Sequence, residues 1–206
     1  MRVEEYQKAV EEIIHGEGKN FTWMSVKYEA AFGLTAEIAE VIDASSVFIN
    51  AASNPVLQRV DESKLDATHL LTLESMRAEA VESFNTCREN LILELGDVCF
   101  FVAMMASAID VRLSNMKKAK VKYSPDESDY FAALIMFNAS ISAQFQHRFV
   151  GEEVSKEVIE VSIGAIFDLV TRIGKLHDMR ATEIFEANLR KLEARNEDKN
   201  DSGSPQ

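Results

Sequence analysis

The sequence predicts an all-α protein. Breakers are scarce, with 3 Pro and 8 Gly among 206 residues, whereas a turn-rich β fold needs many. Apolar residues recur at helical spacing through most of the chain, and no stretch alternates with period 2 long enough to argue a sheet. Hydrophobic residues make up 47% and charged residues 27%, a balance that supports a buried core. The length suits one good-sized domain or two small ones, and residues 1–195 are read as one.

A first helix is expected over Val3 to Ile14, where Val3, Tyr6, Val10, Ile13 and Ile14 recur at helical spacing, with Gly16 and Gly18 ending it. Asn20 to Trp23 form a short aromatic connector. Met24 to Ala52 reads as helix with a candidate break near Gly33, where the Thr35 hydroxyl would cap a fresh start. Asn54-Pro55 stops it, because proline disfavours αR in the residue before it. Val56 to Thr68 is polar, and Leu70 to Ile109 holds the strongest helical stretches. Residues 55–90 are read as a helical insertion. Ser124-Pro125-Asp126 is a turn. Further helices are expected over Tyr130 to Phe149, Val154 to Leu176 and Ala181 to Ala194. The polar segment 196–206 reads as a disordered tail.

The formal charge of −12 repels phosphodiester backbones, so no nucleic-acid partner is expected. An acidic protein still takes nucleotides when cations bridge the two anions. Cys87 and Cys99 suggest no disulfide framework, which points to a reducing, cytoplasmic setting. The opening MRVEEYQKAVEE has no apolar core of a secretory signal. The longest uncharged apolar run, Val98 to Ile109, is shorter than the roughly 20 residues of a membrane span, so no membrane partner is expected.

Two motifs carry chemistry. Glu37-Ile-Ala-Glu40 places two carboxylates at i and i+3 on one helix, bordered by Leu34, Ile38, Val41 and Ile42. Glu94-Leu-Gly-Asp97 repeats the spacing among Leu91, Leu95, Val98, Phe101 and Val102. A lone ExxE pair is usually a solvated face. Two pairs set into apolar helices are different, because burying a carboxylate without compensation costs several kcal/mol or forces protonation. A shared hard cation with oxygen ligands would compensate both pairs.

Phe32 to Asp43 (FGLTAEIAEVID) followed by Glu94 to Ala106 (ELGDVCFFVAMMA) resembles the MazG-like, all-α nucleoside triphosphate pyrophosphohydrolases, related to dimeric dUTPases and dCTP pyrophosphatases. Asn188-Leu-Arg-Lys191-Leu192, with Arg195 one turn on, is similar to the polar ending of a later helix in that superfamily. The resemblance implies that Glu37, Glu40, Glu94 and Asp97 hold Mg²⁺, with Mn²⁺ as an alternative ion. It implies that Asn188, Lys191 and Arg195 meet the triphosphate, and that cleavage between the α and β phosphates gives a nucleoside monophosphate and pyrophosphate. Glu40 is the first choice for the general base. Trp23 is a candidate to stack on the base, against an ordinary core role. The apolar helix faces imply a homodimer or homotetramer.

Other readings stay open. Asn115-Met-Lys-Lys118 is a second Asn-x-x-Lys, beside Lys120 and Lys122. Asn138 to Gln144 and Val158 to Leu176 sit where a second, degenerate pair of acidic helices would fall, with Ser142 and Phe145 in place of Glu37 and Glu40. Glu12-Ile-Ile-His15 matches an ExxH of di-iron bundles, but no second ExxH accompanies it. The rival function is a non-catalytic helical module that binds nucleotide or another protein.

Overall fold

The computed structural model describes residues 1–15, 23–57, 62–116, 127–149 and 153–202, without the side chains of 23, 24, 64, 127, 148, 149 and 196–202. Six α-helices appear among them: α1 (Val3–Ile14), α2 (Trp23–Ala52), α3 (Ala67–Ala108), α4 (Glu127–Phe149), α5 (Lys156–Leu176) and α6 (Ala181–Ser202). No strand occurs among the described residues, so the all-α class holds.

α2 and α3 form the largest helix pair, α4 and α5 the second, and α3 also packs on α1, α5 and α6. The α2–α3 pair is antiparallel. The ring of Phe48 meets that of Phe84 at 5.1 Å, while Gly33 lies under the Phe101 ring. α3 is thus the axis of the bundle, and Leu91, Leu95, Val98, Val102 and Met105 are fully buried along it. One 18-residue window of α3 is long and apolar enough to cross a membrane, beyond the Val98 to Ile109 run. Of that window 72% is buried inside the bundle, so it packs as a core helix.

Three expectations change. α2 is continuous through Gly33. The glycine marks a close approach rather than a break, because a Cβ there would collide with the Phe101 ring. Thr35 caps nothing: its hydroxyl donates to Ala31 O at 3.2 Å within the same helix and accepts from Asn138 Nδ2 of α4 at 2.9 Å. The insertion expected over 55–90 is no separate helix. Two short turns, Pro55–Leu57 and Glu62–Lys64, lead into the 42-residue α3, whose start is capped by Asp66 accepting from His69 N at 2.9 Å. Finally, α6 runs to Ser202. Residues 196–202 are helical where a disordered tail was expected, since no strong breaker precedes Gly203. The predicted turn at Ser124-Pro125-Asp126, the glycines Gly16 and Gly18, and Lys117 to Lys122 lie outside the described residues.

α1 matters beyond its size. Gln7 clamps it to the end of α3, donating to Ser107 Oγ at 3.2 Å and Val111 O at 2.9 Å while accepting from Leu113 N at 2.9 Å. Its inner face, Tyr6, Val10 and Ile14, is buried. The Tyr6 ring stacks on Phe185 of α6 with centroids 4.6 Å apart. This arrangement carries the Tyr6 hydroxyl into the space between α3 and α6.

Candidate metal centre

The antiparallel α2–α3 pairing sets the two acidic motifs side by side. Carboxylate oxygens of Glu37, Glu94 and Asp97 all lie within 4.8 Å of one another. Asp97 is buried, and Glu37 and Glu94 are half-buried. Glu40 is exposed one turn along α2, close enough for its charge to add to the rise of the Glu94 carboxyl. It stands at the rim rather than within the triad.

The cluster is electrostatically loaded. Burial, then the charges of Asp97, Glu40 and Glu94, push the Glu37 carboxyl up to about 7, against the opposing pull of Lys191. Burial also raises Glu94, with Lys191 opposing and Asp97 and Glu40 adding to the rise. One oxygen of each, Glu37 Oε2 and Glu94 Oε2, is fully buried and has no hydrogen-bond partner. Buried acceptors without donors are rare and costly. Both belong to side chains that converge with a third carboxylate, and three oxygen ligands suit a hard divalent ion. The residues present therefore fit Mg²⁺ or Mn²⁺.

Asp97 is held from behind by two side chains of α6. Asn188 Nδ2 donates to Asp97 Oδ1 at 2.7 Å, and Lys191 Nζ pairs with Asp97 Oδ2. Asn188 is completely buried. It is enclosed by Asp97 on one side and by Tyr6, whose hydroxyl donates to Asn188 Oδ1 at 2.8 Å, on the other. Asn188, expected from the resemblance to meet the triphosphate, has its amide on Asp97 and its carbonyl oxygen on Tyr6 in this structure. Gly96 makes this contact possible. A Cβ there would stand 2.7 Å from Asn188 Cβ and 3.2 Å from Ile184 O, so only glycine lets α6 lie this close to α3.

Lys191 faces two ways. It pairs with Asp97 and also borders a groove of about 610 Å³ between α3 and α6, alongside Arg88, Arg190 and Ile92. Arg195 is exposed one turn beyond Lys191. Trp23 opens α2, and its side chain lies outside the described residues. Asn115 sits in a short turn over Leu113–Asn115 after α3, while the lysines that follow it fall outside the described residues.

Sequence reasoning brought together Glu37, Glu94, Asp97, Asn188 and Lys191. It missed Tyr6, which reads in sequence only as part of an apolar face. Its partner Asn188 lies 182 positions away, and no local spacing signals such a pair. No family model matches the sequence, and no curated protein or solved structure matches it.

Proposed function

We propose that this chain is a divalent-cation-dependent hydrolase that converts a nucleoside triphosphate to the monophosphate and pyrophosphate. One observation carries the reading: three carboxylates from two paired helices converge, and two of their oxygens are buried without a donor. The resemblance of the Glu37-to-Glu40 and Glu94-to-Asp97 segments to MazG-like pyrophosphohydrolases supports the substrate class. Glu37, Glu94 and Asp97 would hold Mg²⁺ or Mn²⁺, with Glu40 completing the set at the rim. Bound there, the ion would neutralise the carboxylates, engage phosphate oxygens and lower the pKa of a water.

The remaining roles belong to side chains. Glu40, exposed at the rim of the cluster, would accept a proton from the attacking water. Lys191, with Arg195 further out on α6, would offset charge on a leaving pyrophosphate; the groove it borders balances Arg88, Arg190 and Lys191 against Glu89, Glu183 and Glu186, so these two side chains rather than the groove as a whole would carry that role. Phe32, Leu71 and Ile135 are each more than half exposed, at 69%, 68% and 55%. Such apolar surface favours a homodimer or homotetramer. The free thiols of Cys87 and Cys99 suit a cytoplasmic setting.

A second reading has one observation in its favour. Lys191 already pairs with Asp97, so part of the acidic charge is compensated within the chain. On that reading the protein is a helical module that binds nucleotide without cleaving it. A panel of ribo- and deoxyribonucleoside triphosphates, scored for monophosphate and pyrophosphate with and without Mg²⁺, separates the two. Mg²⁺-dependent release of both products from at least one nucleotide supports the hydrolase. Nucleotide-dependent stabilisation without product supports the module.

A further inference from the structure

Resting on the cation site proposed above, we infer that Tyr6 of α1 is a positioning residue for that site: its hydroxyl fixes the Asn188 amide, which in turn fixes the Asp97 carboxylate.

An ionised carboxylate is acceptor-only. Asp97 Oδ1 lies 2.7 Å from the Asn188 amide, so the NH₂ group must face it. The Asn188 carbonyl oxygen is then turned the other way, toward Tyr6 at 2.8 Å, and a carbonyl cannot donate. The Tyr6 hydroxyl must therefore donate, and its proton defines which way the amide points. The Gly96 carbonyl, 3.4 Å from the same hydroxyl, is a second acceptor on the residue preceding Asp97. Tyr6 thus touches the Asp97 backbone neighbour and the Asp97 side-chain partner with one group.

Among the described residues, Tyr6 is the donor to Asn188 Oδ1. Tyr6 and Asn188 are both completely buried, and burial raises the Tyr6 phenol well above its usual range, which keeps the proton on the oxygen. The ring is locked by its stack on Phe185, one turn before Asn188. α1 is docked independently by the Gln7 clamp on the end of α3. A helix far from the acidic motifs in sequence therefore sets the direction of one of their carboxylates. Groups that bond a ligating carboxylate directly, as Asn188 would, typically change metal affinity by roughly 10- to 100-fold when removed, and Tyr6 acts one bond further out, so its own effect is smaller.

The test is a Mn²⁺ titration followed by electron paramagnetic resonance, on wild type, Tyr6→Phe and Val10→Ala. Tyr6→Phe removes only the hydroxyl and leaves the ring stack. Val10→Ala thins the same buried helix face without touching the relay. The expected result is a cation Kd raised severalfold in Tyr6→Phe, less than the roughly 10- to 100-fold of a direct ligand partner, with unchanged stoichiometry, and a wild-type Kd in Val10→Ala despite a lower Tm. Equal affinities in wild type and Tyr6→Phe overturn the inference and leave the cation site standing. An equal loss in both variants also overturns it, by showing that any loosening of α1 suffices. A wild-type protein that binds no Mn²⁺ overturns the inference together with the site.

Discussion

Gly96→Ala is the substitution in which packing and function should part most clearly. The added methyl would stand 2.7 Å from Asn188 Cβ and 3.2 Å from Ile184 O, whereas carbon atoms in contact sit about 3.5–4.0 Å apart. α6 must therefore withdraw by about 1 Å. Overpacking of this kind costs about 1–3 kcal/mol, and alanine in place of glycine within a helix returns about 1 kcal/mol. The net change is about 0–2 kcal/mol, a Tm loss of no more than about 8 °C for a chain of this size. The same withdrawal lengthens the 2.7 Å bond from Asn188 to Asp97 to about 3.7 Å, past hydrogen-bond range. Cation affinity should then fall roughly tenfold or more. A thermal melt and a Mn²⁺ titration on one preparation measure both. A variant with wild-type Tm and wild-type cation affinity would refute the claim that Gly96 sets the α3–α6 distance.

Other expectations follow from the same geometry. Asp97→Asn should keep the fold and abolish Mg²⁺-dependent hydrolysis, and full activity on a nucleotide that wild type cleaves would remove Asp97 from the ligand set. Glu37 titrates near 7 in the folded chain against 4.5 for an ordinary glutamate. Its contribution is neutral below about pH 4.5, turns destabilising as pH rises toward about 7, and is fully destabilising above that. Cation-free protein should therefore lose Tm across this window, and Glu37→Gln should flatten that loss; an equally steep profile in Glu37→Gln would contradict it. In light scattering the protein should exceed the 23.1 kDa of one chain, and a fully active particle of that mass would refute the oligomer.

What was legible in the sequence was what repeats locally. The span of α1 followed from its apolar spacing, and the acidic triad from two i, i+3 pairs set among apolar residues. What was not legible depended on contacts between distant segments. Gly33 and Gly96 look alike as helix breakers, yet each marks a place where another group presses against the helix, Phe101 in one case and Asn188 in the other. The uninterrupted α3 was obscured because the polar stretch before Leu70 contains no period, while Asp66 supplies a cap that starts the helix earlier. Asn188 was found by its motif and assigned to phosphate. Its complete burial and its bonds to Tyr6 and Asp97 depend on contacts that no motif signals.

The central claim is that Glu37, Glu94 and Asp97 enclose a divalent cation. Anomalous diffraction from crystals grown with Mn²⁺ tests it directly. An anomalous peak is expected between those three carboxylates, touching the buried oxygens of Glu37 and Glu94, with Asn188 still bonded to Asp97. Well-ordered carboxylates with no anomalous peak between them, and Lys191 as the sole cation on Asp97, would contradict it.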